Sequence, residues 1–63
     1  MAQLTPRERE VIGLLMQGRR TGEIAAALCV ERRTVKAHIK HARDKADAKT
    51  TIELVAKVAR EIE

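Results

Sequence analysis

An all-α fold of four short helices is predicted by three observations. Apolar residues recur at helical spacing in four separate stretches of the chain. Capping residues (Thr5 with Glu8, Thr21, and Thr50 with Glu53) stand where three of those stretches begin. Between Thr21 and Ala46, a short helical run, a break of a few residues and a longer basic run follow one another. The helices are placed at about 6–17, 22–28, 32–46 and 51–61, in a single domain covering 1–63.

The first helix opens at Leu4-Thr5-Pro6-Arg7-Glu8. Thr5 is a good N-cap, and Pro6 suits the first helical position because its missing N–H would be unpaired there anyway. Glu8 has the capping-box spacing. Val11 with Leu15 (i, i+4) and Ile12 with Leu15 (i, i+3) can share a buried stripe, with Leu4 packing near the start and Met16 extending the apolar surface. Gly18 stops the helix by taking the left-handed conformation. Gly13, inside the helix, costs up to ~1 kcal/mol relative to Ala. Arg19-Arg20 reads either as a solvated connector or as a phosphate contact, and Thr21 is expected to cap the second helix.

In that second helix Ile24, Ala25 and Leu28 lie on one face, and Cys29-Val30-Glu31 interrupts the run. From Arg32 the period resumes: Val35, Ile39, Ala42 and Ala46 form one stripe. The opposite side holds Arg33, Ala37, Lys40 and Asp44, flanked by Lys36 and His41. A short helix, a tight turn and a longer helix with a basic outer face make a helix-turn-helix. Charge supports that reading. Residues 1–31 are neutral overall, residues 32–45 carry a net +5, and residues 46–63 carry −1. The excess on one helix suggests a polyanion, and the fold pattern suggests duplex DNA. In the fourth helix Ile52, Val55, Ala59 and Ile62 form one stripe, while Leu54 and Val58 form a second. One stripe can pack on the domain while the other is spare apolar surface, with Leu54 and Val58 the candidate dimer contact; the alternative is that a broad core absorbs both.

Composition narrows the classes. With 63 residues and no Phe, Tyr or Trp, the core must come from Leu, Ile, Val, Met and Ala, so it is thin. A single cysteine cannot form an internal disulfide, no apolar run nears the ~20 residues of a membrane span, and Met1-Ala2-Gln3 does not read as a signal peptide. A cytoplasmic protein with no membrane association is expected. His38 and His41 lack a second ligand pair, so no metal is expected; His38 reads as a packed histidine and Cys29 as a small, partly buried side chain. No nucleophile–base set, carboxylate pair or phosphate-binding glycine loop is present, so neither an enzyme nor a cofactor is expected.

The segments LTPREREVIGLL, EIAAAL and RTVKAHIKHARDKA, in that order and spacing, resemble the LuxR-type (NarL/FixJ) DNA-binding domain from Leu4 to about Arg60. The resemblance implies four helices, the third in the major groove and the fourth used for homodimerisation. It places Lys36, Ala37 and Lys40 at base edges, with Arg33 and Thr34 at or near the DNA backbone. Lys36 and Lys40, one turn apart, can reach guanine or phosphate, and the Ala37 methyl can touch a thymine methyl. Arg32, Arg33 and Arg43, with Arg20 and Thr21 before them, are candidate backbone contacts that give affinity and register. The chain departs from the family pattern at four places. Cys29 and Asp47 stand at usual glycines, Glu31 at a usual Ser or Thr cap, and Ala42 with Ala46 where large apolar residues are usual.

The expected function is a sequence-specific, double-stranded DNA-binding transcription regulator acting as a homodimer, with RNA polymerase a further partner. Such a domain usually follows a receiver or sensing domain, so the chain is either a stand-alone regulator or an effector fragment. Two other readings need different residues or more chain. A sigma-factor region-four-like module would have to be a fragment. A short protein-interaction module or antagonist would pair through helix four with a larger regulator, using Leu54 and Val58 instead of Arg33, Lys36 and Lys40.

Overall fold

The computed structural model describes residues 3–62, with side chains to Arg60. It contains helices α1 (Pro6–Met16), α2 (Thr21–Leu28), α3 (Arg32–Ala46) and α4 (Thr51–Ile62), and no strand among the described residues. The all-α, four-helix, helix-turn-helix-type expectation is met. Helix α3 is the axis of the fold and packs against each of the other three.

The starts of the helices are encoded locally. Glu8 N–H donates to Thr5 Oγ1 (3.1 Å) and Thr5 N–H donates to Glu8 Oε1 (2.8 Å), which completes the expected capping box of α1. At α2 the expectation shifts by one residue. Arg20, not Thr21, is the extended N-cap, and its N–H is bound by the Glu23 carboxylate at 2.8 Å. An acidic side chain at the third helical position can close back on Arg20, three residues earlier, so Thr21 becomes the first helical residue. At α4 Thr50 Oγ1 accepts from Glu53 N–H (3.1 Å), while the Glu53 carboxylate reaches back to Lys49 N–H (3.3 Å).

The ends share one geometry. After α1, α2 and α3 the chain enters the left-handed region at Gly18 (φ 86°), Cys29 (φ 56°) and Asp47 (φ 54°). In each case the following N–H reaches back to the helix: Arg19 to Leu14 O, Val30 to Ala25 O and Ala48 to Arg43 O, at 3.1, 3.0 and 2.8 Å. This is the Schellman closure, which satisfies otherwise unpaired carbonyls. Glycine meets it without a Cβ penalty. Cys29 and Asp47 adopt it at a steric cost.

Two apolar clusters fill the interior and meet at the half-buried Ile39. Val11, Ile24, Ala25 and Val35 lie under α2 and the first half of α3, with Leu14, Leu15, Leu28 and Val30 packed against them. Leu4, Ile12, Ala42, Ala46, Ala48, Leu54 and Val58 form the other cluster. The short side chains of Ala42 and Ala46 are thus matched by α4 moving in. That corrects the assignment of the α4 stripes. Leu54 (0% exposed) and Val58 (8%) are core residues and no dimer surface, whereas Ile52 is 84% exposed. The two stripes are similarly apolar, and the space over two alanines is best filled by the longer pair one turn apart. Ile62, the last member of the other stripe, lies outside the described side chains.

Candidate nucleic-acid interface

Three residues, Cys29 to Glu31, connect α2 to α3, and the turn directs α3 across the front of the molecule. The side of α3 facing inward carries Val35, Ala42 and Ala46, all buried, and the half-buried Ile39. Helical periodicity then requires the remaining side to face out, and there Lys36, Ala37, Lys40, His41 and Asp44 are exposed. Lys36 and Lys40 are separated by one turn, ~6 Å along the axis, with the small Ala37 beside them. An α-helix bearing cations around a small residue has the dimensions of a major-groove reader.

Around this face lie the residues expected at the phosphates. Arg32 and Arg33 are exposed in the first turn of α3, and Thr34 is half-buried with its N–H on Glu31 O (3.0 Å). Glu31 is the N-cap of α3 but makes no side-chain capping bond. Its carboxylate pairs with Arg33 instead, at 3.1 Å to Nε. Both groups are exposed, so the pair is weak and can be exchanged for another anion. Arg20, Thr21, Gly22, Glu23, Ala26, Arg32 and Lys36 line an open cleft of about 700 Å³ between the start of α2 and the start of α3. The cleft therefore joins three expected phosphate contacts, Arg20, Thr21 and Arg32, to one expected base contact, Lys36.

Two cations of α3 point elsewhere. Arg43 is half-buried and donates through Nη2 to the Lys49 carbonyl, so it ties the end of α3 to the following connector. This corrects its placement as a DNA backbone contact: it sits a full turn beyond the groove-facing half, where the chain bends back toward α4. Lys45 donates from Nζ to Glu8 Oε1 at 2.7 Å, joining α3 to the start of α1. Burial would raise the Glu8 carboxyl, but the Lys45 hydrogen bond, the Thr5 N–H and the Lys45 charge together hold it below the usual range. Net charge alone had credited both cations to a polyanion.

Cys29 is exposed rather than partly buried, because its left-handed backbone turns the side chain outward at the bend. His38 is half-buried and His41 exposed. Among the described residues no three His, Cys, Asp or Glu side chains are grouped to hold a metal ion. No helix among them is long and apolar enough to cross a membrane. The feature missed from sequence is the outer face of α4, with Ile52 exposed and Val55 and Ala59 half-buried. The shortness of Ala42 and Ala46 was the signal that assigns the opposite stripe to the core.

The sequence is similar to those of known proteins. Residues 2–58 match the family described as bacterial regulatory proteins, luxR family. The chain is 42% identical over 57 residues to the spore germination protein GerE of Bacillus subtilis, covering 90% of this chain and 77% of GerE. It is 41% identical over 59 residues to the nitrate/nitrite response regulator protein NarL of Escherichia coli, covering 94% of this chain and 27% of NarL. Against the HTH-type quorum sensing-dependent transcriptional regulator RpaR of Rhodopseudomonas palustris it is 44% identical over 55 residues, 87% of this chain and 23% of RpaR. The chain thus spans about a quarter of the length of NarL and RpaR. NarL and RpaR are named as regulators, and the matched family is one of regulatory proteins. With its four helices and exposed basic third helix, the chain belongs to the luxR family of bacterial regulatory proteins.

Proposed function

We propose that the chain is a sequence-specific double-stranded DNA-binding module of a transcription regulator, with α3 lying in the major groove. The observation that carries this reading is the division of α3 into an inward apolar stripe and an outward face of Lys36, Ala37 and Lys40. Lys36 and Lys40 read base edges, Ala37 lets the helix approach, and Arg20, Thr21, Arg32, Arg33 and Thr34 set the register on the phosphates. RpaR's name as a transcriptional regulator and NarL's as a response regulator favour the same conclusion.

The module works as a homodimer through α4. Its outer face, Ile52 with Val55 and Ala59, is the apolar surface this helix leaves uncovered. A two-fold pair reads two half-sites about one helical turn apart.

Fluorescence anisotropy of a labelled mixed-sequence duplex, titrated at several salt concentrations, tests the reading. A log–log slope of roughly −3 to −6 is expected for a few phosphate contacts per subunit. On a selected site Lys36→Ala and Lys40→Ala each weaken binding by ~1–3 kcal/mol without unfolding the domain. No binding by a helical sample at low salt would leave the protein-interaction reading, in which α4 pairs with a larger regulator. Sedimentation of Ile52→Glu at high concentration checks the dimer: the mass falls to that of one chain, and an unchanged mass would remove α4 from the interface.

A further inference from the structure

Gly22, the second residue of α2, is the one glycine here whose missing side chain makes room for a particular group. A Cβ built on it would lie 3.0 Å from Nη2, 3.1 Å from Nε and 3.2 Å from Cζ of Arg32. The guanidinium therefore lies across the space that any other residue would fill. Gly13 and Gly18 have open space at the same place. The φ of Gly22 is not in the left-handed region, so the backbone there does not require glycine.

Among the described residues no carboxylate is paired with the seated guanidinium. Glu23 lines the same cleft, but its carboxylate is held by the Arg20 N–H at 2.8 Å. Among the described residues Arg32 has no ion pair, although its neighbour Arg33 is bridged to Glu31. Arg20 and Lys36 line the cleft on either side. A guanidinium stays charged, and its planar fork matches two oxygens of a phosphate diester. The first turn of α2, the positive end of its helix dipole, lines the same cleft.

We infer that Gly22 is a positioning residue, whose bare Cα is the seat that holds the Arg32 guanidinium over the first turn of α2 as a ligand for one DNA phosphate. The inference rests on the duplex-DNA reading above. Arg32 arrives pre-ordered, so less side-chain freedom is lost on binding than for an unsupported arginine. A larger residue at 22 leaves the fold intact and releases the guanidinium.

The test uses the 63-residue chain as wild type, Gly22→Leu, Gly22→Ala, Arg32→Ala and the Gly22→Leu/Arg32→Ala double variant, with Arg32→Lys for assignment. Two readouts are taken. The first is the heteronuclear NOE of the Arg32 Nε–Hε group in the free protein, assigned by its loss in Arg32→Lys. The second is salt-dependent duplex affinity. In Gly22→Leu the Arg32 NOE falls toward the value of a free side chain. Affinity drops roughly tenfold, and the salt slope shrinks by about 1, as for Arg32→Ala. The double variant binds no worse than Arg32→Ala alone. Thermal stability is unchanged or raised, since leucine is the better helix former, and that separates lost positioning from lost folding. Gly22→Ala, whose Cβ displaces the guanidinium only slightly, shifts both readouts less and in the same direction.

An Arg32 signal indifferent to residue 22, or losses that add fully in the double variant, would overturn the inference. If the wild type fails to bind duplex at low salt, the DNA reading falls; the NOE comparison then decides the seat by itself.

Discussion

The two ends of α3 are built differently. Its first half rests on a cluster of branched side chains, Val11, Ile24 and Val35, with Leu14, Leu15, Leu28 and Val30 around them. Its second half offers only Ala42 and Ala46 to the core, and there long cations take over part of the fastening. Arg43 reaches the Lys49 carbonyl, Lys45 reaches Glu8, and Lys57 of α4 donates to the Ala46 and Asp47 carbonyls at 3.0 Å each. Lys57 also lies 3.4 Å from Glu53, whose carboxyl is held below the usual range by the Lys49 N–H and then by Lys57. The difference teaches that positive charge on a DNA-reading helix has two uses. Before Ala42 it faces outward; after it, it holds the domain together.

The largest expected effect breaks the back half. Leu54→Ala removes the long side chain over the two alanines and costs ~2–5 kcal/mol in urea denaturation, enough to unfold much of so small a domain. If Leu54 instead belonged to a dimer contact, the loss would vanish on dilution. Next comes the bridge between the end of α3 and the start of α1. Because the folded Glu8 carboxyl lies below its unfolded value, its contribution is present above the unfolded pKa and is lost as pH falls through the folded one. Glu8→Gln therefore costs about 1 kcal/mol at neutral pH and flattens the acid limb of a stability–pH curve. An acid limb identical to wild type would show that the bridge contributes nothing.

The smallest effects sharpen the comparison at the turns. Cys29→Gly relieves a left-handed residue and gains up to ~1 kcal/mol, while Asp47→Gly gains less, since aspartate tolerates that region better than most side chains. Thermal midpoints of the two variants check the order.

Local signals made much of this legible in sequence. Thr5–Glu8, Pro6 and Gly18 act within a few residues, and their predicted roles are those observed. The stripe Val35, Ile39, Ala42, Ala46 followed from period alone, and with it the exposure of Lys36, Ala37 and Lys40. What periodicity could not decide was a choice between equals. Either stripe of α4 is apolar, and only the depth of the space over Ala42 and Ala46 selects Leu54 and Val58. Nor does a charge count distinguish Arg43 and Lys45 from Lys36 and Lys40, because their partners, Lys49 and Glu8, are fixed by the path of the chain. The seat at Gly22 was illegible for the same reason: the group that fills it begins ten residues later, beyond a turn.

The left-handed stops after α1, α2 and α3 carry a consequence for kinetics. Each is closed by bonds reaching no more than five residues back, so the direction in which these three helices end is settled by their own neighbourhoods. A chain whose bends are chosen locally has little long-range search left to make. Folding on the microsecond-to-millisecond scale of small helical bundles is expected. A module that unfolds under such conditions is restored faster than most partners could capture it, and its low thermodynamic reserve need not shorten its working life.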